Sequence, residues 1–364
     1  MLTPVMQITK DISINAVSEG GFEYLELLLK VENGKIERNI IDEIINSDKE
    51  FKISGLVIDL NRLDGSLLKE TLSLAEEVYA EYIILETKGA GSKDTLMELM
   101  TECKNAVCES SVNILIENGY RKIQDRYYHN EYSEMKNLVR ICEELDGIIG
   151  LNRTGICLNT GYINLLAMNI KDAISMASGK IRVMHVNDND GFRDVHQIPY
   201  TFTVGRGENS TDWYGTIGTM VDSGFDGFIT FDITGVYKRM PEPLHKTLCE
   251  MMMAMYHTWE EQFRFEELLN KPDREIILFG AGRMLKHYLD RWGKKYPPAF
   301  AVDNNKDIWG KKVLGVDIKS PEDILKIDAD KRNVFICNMN YLIIGSQLDN
   351  MGVEYNRFRD TYYI

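Results

Sequence analysis

Residues 181–207 read IRVMHVNDNDGFRDVHQIPYTFTVGRG, and this stretch decides how the rest of the chain is interpreted. The apolar run Ile181–Val186 is typical of a buried parallel strand. Its carboxyl end and the following loop carry two histidines and two aspartates: His185, Asp188, Asp194 and His196. Two imidazoles and two carboxylates in so short a stretch have the chemistry to hold a divalent metal and a polyol. The alternative is a polar surface loop with incidental histidines.

The length and composition indicate a two-domain globular protein. A chain of 364 residues is long for a single core, and 44% hydrophobic and 27% charged residues are ordinary values. The net charge of −14 argues against nucleic acid as a partner, since phosphate recognition needs a basic surface. Six scattered cysteines without a CxxC pair predict reduced thiols, and no stretch is long enough to span a membrane. We therefore expect a cytoplasmic protein.

Short apolar runs alternate with amphipathic segments from about Gly20, a pattern typical of βαβ units and a parallel sheet. The predicted strands are Tyr24–Leu29, Gly55–Leu60, Tyr82–Leu85, Val112–Ile116, Ile156–Leu158, Ile181–Val186, Phe202–Val204 and Phe228–Phe231. The predicted helices are Ile36–Ser47, Ser66–Ala80, Lys93–Cys108, Met135–Leu145, Ile170–Ala177, Trp213–Val221 and Pro243–Leu269. These elements predict an α/β fold, a (β/α)₈ TIM barrel over residues 1–270. Periodicity alone leaves an open parallel sheet as the alternative.

Nearly every predicted strand ends in a polar side chain. These residues are Asp59, Glu86, Glu117, Asn159, His185 and Asp232. In a parallel barrel all of these strand ends lie on one face, where the loops converge and catalytic residues are placed. A single residue of this kind is usually a strand-end cap, but six of them favour a site for a polar ligand.

The strand and helix pattern starts again at residue 271, which predicts a small Rossmann-like α/β domain over residues 271–364. Gly280 and Gly282 place a glycine turn before a helix, and Asp303 follows at the distance where an acidic residue meets a ribose hydroxyl. Leu285 stands where the third glycine of a dinucleotide fingerprint would be. A nucleotide or nucleotide-sugar site and a purely structural turn are both open interpretations.

The order of Glu117, Asn159, His185 and Asp232 at strand ends resembles the xylose-isomerase-like TIM barrel superfamily. That group includes sugar isomerases, ketose 3-epimerases, inosose dehydratases and the family 2 apurinic (AP) endonucleases. The resemblance covers roughly residues 20–240 and is carried by ILIENG, CLNTGYINL, the stretch from His185 to Trp213, and GFDGFITFDI. It implies a divalent metal (Mn, Mg, Co or Zn) held by Glu117, Asn159, His185 and Asp232.

This sequence departs from the superfamily at three positions. Asn159 stands where the superfamily has aspartate, Tyr162 where its members commonly have histidine, and Asp232 where glutamate is usual. An asparagine offers a carbonyl oxygen without charge, which lowers the affinity for a metal. The C-terminal stretches IILFGAG and FAVDNN resemble the small domains of sugar acyltransferases and the tails of some methyltransferases.

The resemblance implies a metal-dependent sugar or sugar-phosphate isomerase or epimerase. Glu117 and Asp232 would exchange a proton with the carbon next to a metal-bound carbonyl. The expected substrate-binding residues are Glu86, Tyr162, Asp188, Arg193, His196, Arg206 and Trp213. A catalytically degenerate protein that binds a sugar or nucleotide sugar is the alternative, and the endonuclease activity fits the acidic surface poorly. Whether the chain forms a homo-oligomer is left open.

Overall fold

The computed structural model describes residues 2–177, 179–202 and 211–358, apart from the side chain of Tyr214. The chain forms two compact units, residues 1–258 and residues 259–364. This division falls inside a helix, whereas the sequence pattern placed the boundary at residue 270. No helix in the described part of the chain is long and apolar enough to cross a membrane.

The first unit is a closed barrel of eight parallel strands. The strands are β1 (Thr3–Ile8), β2 (Tyr24–Leu28), β3 (Lys52–Asp59), β4 (Tyr82–Glu86), β5 (Asn113–Glu117), β6 (Thr154–Asn159), β7 (Ile181–Val186) and β8 (Phe228–Phe231). Each strand pairs with the next one in the chain, and β8 pairs with β1 to close the ring. The predicted barrel is confirmed, and an open sheet is excluded.

The first strand of the barrel differs from the sequence prediction. The run TPVMQI forms β1, which the apolar pattern missed because Pro4 lies near its start and the polar Gln7 interrupts it. Phe202 lies in a bend outside any strand, and the rest of the predicted strand Phe202–Val204 lies outside the described residues. The eighth strand of the barrel therefore comes from the start of the chain.

Helices follow the strands and cover the outside of the barrel. They are α1 (Ile14–Glu19), α2 (Asn39–Ile45), α3 (Gly65–Glu77), α4 (Lys93–Glu102), α5 (Lys104–Glu109), α6 (Met135–Ile149), α7 (Thr160–Leu165), α8 (Ile170–Ala177), α9 (Trp213–Asp222), α10 (Thr234–Tyr237) and the first part of α11 (His245–Phe263), whereas α12 (Phe265–Leu269) belongs to the second unit. Side chains of Ser13, Asp64, Ser92, Asn159 and Asp212 accept hydrogen bonds from the first turns of their helices. Each such cap contributes about 1 kcal/mol.

The interior of the barrel has an apolar layer and a polar layer above it. Val57, Tyr82, Ile84, Leu115, Cys157 and Val183 form the apolar layer. Side chains of a strand return to the same face every second residue, so the next inward position lies one layer higher. On β5, β6 and β7 these next positions are Glu117, Asn159 and His185. The sequence pattern therefore places polar groups at the carboxyl-terminal mouth of the barrel.

The second unit contains a six-stranded sheet. Its strands are β9 (Glu275–Phe279), β10 (Phe300–Val302), β11 (Lys312–Val313), β12 (Val316–Lys319), β13 (Arg332–Ile336) and β14 (Tyr355–Arg357), in the order β11-β12-β10-β9-β13-β14. All neighbouring pairs are parallel except β11 with β12. Two clusters of buried apolar side chains take alternate residues of the same strands, so the sheet is buried on both faces.

Helices and a glycine turn accompany this sheet. Besides the end of α11 and α12, the α-helices of the described part of this unit are α13 (Arg283–Tyr288) and α14 (Tyr341–Asn350). Gly280, at the end of β9, has φ +126°, and a Cβ at this position would collide with the carbonyl oxygen of Cys337. Glycine is required here because two strand ends approach each other closely. Gly282 has open space around its Cα and caps α13 without a side chain.

Candidate active site

The carboxyl ends of the barrel strands bring together four of the predicted site residues. Glu117 ends β5, Asn159 ends β6, His185 lies near the end of β7, and Asp232 directly follows β8. Each of the four is at most 3% exposed. Burial of so many polar and charged groups is tolerated only if they bond to one another. Their contacts form two rows of side chains, called here the first and the second histidine chain, which Asn159 joins.

The first chain places His185 between two carboxylates. Its Nδ1 lies 2.7 Å from Oε1 of Glu117, and its Nε2 lies 2.8 Å from Oε1 of Glu26. Glu26 is fully buried on β2 and accepts hydrogen bonds from Gln7 and Tyr82, both at 3.0 Å. Burial alone lowers the pKa of His185, but Cys157, Glu26 and Glu117 outweigh it and raise this pKa well above its ordinary value.

The second chain places His196 between two other carboxylates. Its Nδ1 lies 2.7 Å from Oδ2 of Asp232, and its Nε2 lies 3.0 Å from Oδ1 of Asp194. Burial disfavours the charged ring, but the two carboxylates raise the pKa of His196 well above its ordinary value. Conversely, burial disfavours the Asp194 carboxylate, but His196 and Lys88 hold its pKa below its ordinary value. The backbone of His196 has φ +44°, a strained conformation maintained by these contacts.

Asn159 joins the two chains. Its Nδ2 donates to Oε1 of Glu117 at 3.0 Å and to Oδ2 of Asp232 at 3.4 Å. Its Oδ1 accepts from the backbone N–H groups of Gly161 and Tyr162 at 3.1 and 3.3 Å, which caps α7. The side chain is thus both a helix cap and a bridge between the two carboxylates.

Lys88 and two tyrosines surround the outer end of the second chain. Nζ of Lys88 lies 2.9 Å from Oδ2 of Asp194, and the hydroxyl of Tyr120 donates to the same oxygen at 2.6 Å. Nζ lies 5.9 Å from the ring centres of both Tyr120 and Tyr162. The Lys88 side chain is 39% exposed. An ammonium group held in this way is available to an anionic oxygen at the mouth of the barrel.

A cavity of about 440 Å³ opens at the same face of the barrel, over the carboxyl ends of β1 to β4. Its charged lining residues are Lys10, Asp11, Lys30, Glu37, Asp59, Arg62, Glu86 and Lys238. Glu86 connects the cavity to the buried cluster. Burial, assisted by the charge of Glu117, raises the pKa of Glu86 to about 7.

This raised pKa predicts a pH-dependent stability. The folded chain holds a proton on Glu86 up to about pH 7, whereas the unfolded chain releases it near the ordinary value of 4.5. The free energy of unfolding should therefore fall as the pH rises from 5 to 8, relative to Glu86→Gln, which mimics the protonated acid. We expect the difference to change by about 2 kcal/mol after allowance for solvent screening.

Urea denaturation at several pH values measures this difference. Glu70→Gln, which changes an exposed carboxylate on α3, is the matched control and should leave the pH profile of the wild type unchanged. If the free energies of unfolding of wild type and Glu86→Gln differ by the same amount from pH 5 to 8, Glu86 is ionised throughout this range.

The superfamily implies a divalent metal at Glu117, Asn159, His185 and Asp232. The atoms that these side chains turn toward one another show whether a metal fits there. Among the residues that the structure describes, one group offers three ligand atoms within 4.8 Å of one another: Glu117, Cys157 and His185. However, this group leaves out Asn159 and Asp232, two of the four implied positions. Asn159 directs its NH₂ group, not its oxygen, between the two carboxylates. In this arrangement the four positions do not fit a cation.

Other predicted substrate-binding residues lie in different surroundings. Asp188 and Trp213 are both fully buried, and Oδ2 of Asp188 accepts from Nε1 of Trp213 at 3.4 Å and from the backbone of Phe202. The side chain of Arg193 is 72% exposed and pairs with Asp190. These contacts lie in the described parts of the segment between β7 and α9. Tyr162 and Glu86, in contrast, lie beside the buried cluster, and Arg206 lies outside the described residues.

The glycine turn of the second unit is tied to Asp303. The backbone N–H of Ala281 donates to Oδ2 of Asp303 at 2.9 Å, and the N–H of Asn305 donates to its Oδ1 at 2.8 Å. Both carboxylate oxygens thus serve the turns between Gly280 and Gly282 and after β10.

Three residues of the cluster were not predicted from the sequence: Glu26, Lys88 and Tyr120. Glu26 is a charged residue in the middle of the apolar run YLELLL, which was a signal that the prediction of β2 passed over. Lys88 and Tyr120 lie two and three residues beyond the predicted strand ends Glu86 and Glu117. Loop residues close to such ends are reasonable candidates in any parallel barrel.

Closed parallel barrels with polar groups at the carboxyl ends of their strands are a class that hosts many enzymes. The model of the xylose isomerase-like TIM barrel family matches residues 66–255, more than half of the chain, and the chain belongs to this family. No curated protein matches the chain in sequence.

Several solved structures have the same barrel. L-ribulose 3-epimerase is 14% identical with a TM-score of 0.53, covering 75% of this chain and 100% of its own. The 3-keto-D-glucoside 4-epimerase from E. coli is 14% identical with a TM-score of 0.51, covering 71% and 100%. D-allulose 3-epimerase from Methylomonas sp. is 12% identical with a TM-score of 0.53, covering 71% and 96%. At this level of identity the similarity establishes the fold alone.

Proposed function

We propose that the barrel binds a small sugar or sugar phosphate at its carboxyl-terminal mouth and acts as an isomerase or epimerase. The observation that carries this proposal is the pair Glu117 and Asp232, two carboxylates joined through one amide nitrogen at the strand ends. One carboxylate removes a proton from the carbon next to the sugar carbonyl, and the other returns it. The family and the epimerases of similar fold support this reaction class.

Lys88 is the group that stabilises the negative charge formed in this step. Removal of a proton next to a carbonyl places charge on the carbonyl oxygen, and a fixed cation there lowers the barrier. Nζ of Lys88 has three hydrogens, and its contacts with Asp194 and two aromatic rings hold it beside the second histidine chain. His196, whose side chain is 14% exposed and whose pKa the two carboxylates raise, lies near the mouth as well.

The cavity over β1 to β4 is the proposed place of the sugar. Four cations line it, and three of them pair with carboxylates of the same lining at 3.3 to 3.7 Å: Lys30 with Glu37, Arg62 with Asp59 and Lys238 with Asp11. Such a lining offers both donors and acceptors to hydroxyl groups, and its cations suit a phosphate. Arg206, expected to bind a phosphate or hydroxyl, stays a prediction.

The second candidate function is a protein that binds a sugar or nucleotide sugar without turning it over. The deep burial of Glu117 and Asp232 favours it, since a reacting carbon has to reach these carboxylates. We also propose that the second unit is a Rossmann-like domain. The strand order reverses beside β9, where ligands of such sheets bind, and Gly280 and Gly282 lie at this point. A nucleotide there would have to displace the bonds of Asp303.

Isotope exchange tests the proposed activity. The protein is incubated with ketoses and their phosphates in D₂O, without added metal and again with Mn²⁺, and NMR follows deuterium at the carbon next to the carbonyl. We expect incorporation with at least one sugar, reduced at least about 100-fold in Asp232→Asn. Asp226→Asn, an exposed change before β8, is the matched control. Sugar binding without any exchange would contradict the isomerase and support the second candidate.

A further inference from the structure

We propose that the side-chain NH₂ group of Asn159 takes the place of the divalent metal in this barrel and keeps the ion out. The inference rests on the proposed function only for the location of the sugar site. It uses the four family positions Glu117, Asn159, His185 and Asp232, called here the ligand set. Its basis is the identity of the atoms that face one another within this set.

The backbone fixes the orientation of Asn159. A backbone N–H can only donate, and the N–H groups of Gly161 and Tyr162 both point at one atom of the Asn159 side chain. That atom has to be the oxygen, because an NH₂ group there would face two donors. The NH₂ group consequently points at Glu117 and Asp232. It offers hydrogens at the place where a metal needs lone pairs.

Both histidines lie between two carboxylates. His185 lies between Glu117 and Glu26, and His196 lies between Asp232 and Asp194, with nitrogen–oxygen distances of 2.7 to 3.0 Å. The carboxylates of the ligand set are therefore already in contact with other side chains. Glu26 cannot move aside freely, since Gln7 and Tyr82 hold it.

The amide of Asn159 and the carboxylate of an aspartate differ in what they offer a divalent ion. An ion entering the ligand set would lie against the N–H groups of Asn159. An aspartate at position 159 would instead keep one oxygen on the helix and place the other between Glu117 and Asp232.

Metal binding by Asn159→Asp tests the inference. Wild type and variant are dialysed against Mn²⁺, separated from free ion, and analysed for manganese by mass spectrometry and by electron paramagnetic resonance. We expect close to one tightly bound ion per chain in the variant and none in the wild type, because a third carboxylate restores a hard oxygen site. Asn152→Asp, the same change at a surface residue that accepts from Lys180, is the matched control and should bind none.

Two outcomes would overturn the inference: a stoichiometric ion in the wild type, or a folded Asn159→Asp protein that binds none. Should the variant not fold, NMR of ¹⁵N-labelled asparagine in the wild type decides, because the side-chain NH₂ signals of Asn159 should stay unchanged when Mg²⁺ is added. A shift of these signals at stoichiometric Mg²⁺ would overturn the inference. Neither measurement uses catalysis. Failure of every sugar in the exchange assay would remove the proposed function and leave the metal result standing.

Discussion

Glu26→Leu should destabilise the barrel by about 3–5 kcal/mol, the cost of leaving one partner of a buried ion pair without the other. Glu26 is fully buried, and its carboxylate faces Nε2 of His185 at 2.8 Å. The substitution also leaves the donors of Gln7 and Tyr82 without their acceptor. Urea denaturation followed by circular dichroism measures the change in the free energy of unfolding.

Two comparisons make this result specific. Glu23→Leu changes an exposed carboxylate just before β2 and should shift the free energy of unfolding by no more than about 0.5 kcal/mol. The double variant Glu26→Leu/His185→Leu should lose less stability than the sum of the two single losses, because it removes both charges. Additive losses would mean that the two side chains do not interact in the folded protein.

Glu117→Gln should reduce deuterium exchange into the sugar about 100- to 10,000-fold, the usual contribution of a positioned acid or base. Glutamine has nearly the size of glutamate and keeps an oxygen for Asn159 and His185, so the barrel should stay folded. It cannot accept a proton from carbon. Initial rates in D₂O, with circular dichroism as the test of folding, measure the effect.

The control for this substitution is Glu109→Gln, an exposed change at the end of α5, which should exchange deuterium at the wild-type rate. A Glu117→Gln protein that exchanges as fast as the wild type would remove Glu117 from the mechanism. The same substitution leaves Asp232 in place, so residual exchange in one direction of the reaction would identify Asp232 as the second acid–base group.

The barrel and the central part of the site were predictable from local sequence patterns. Apolar runs separated by amphipathic segments predict parallel strands, and the polar residue after each run predicts which face carries chemistry. This reasoning brought Glu117, Asn159, His185 and Asp232 to one mouth, as the structure has them. It missed β1 because the pattern there is short and interrupted by Gln7.

The partners of these residues were not predictable in the same way. Glu26 meets His185 across the barrel, and nothing local in either strand indicates this pairing. A charged residue inside an apolar run was visible, but the face to which it points depends on the pairing of distant strands. From the sequence, Asn159 was interpreted as a metal ligand of lowered affinity. An asparagine directly before the helical run TGYINL is equally typical of a helix cap, and the structure uses it so.

The pairing of charges across the barrel also bears on how the chain folds. Glu26 comes from β2, Glu117 from β5 and His185 from β7, so the first chain of contacts forms only when distant strands have closed the ring. A strand misaligned by one residue would turn its charged side chain to the outer surface and leave a partner buried alone. A purely aliphatic interior would penalise such a slip less. The polar layer thus disfavours misregistered barrels during folding.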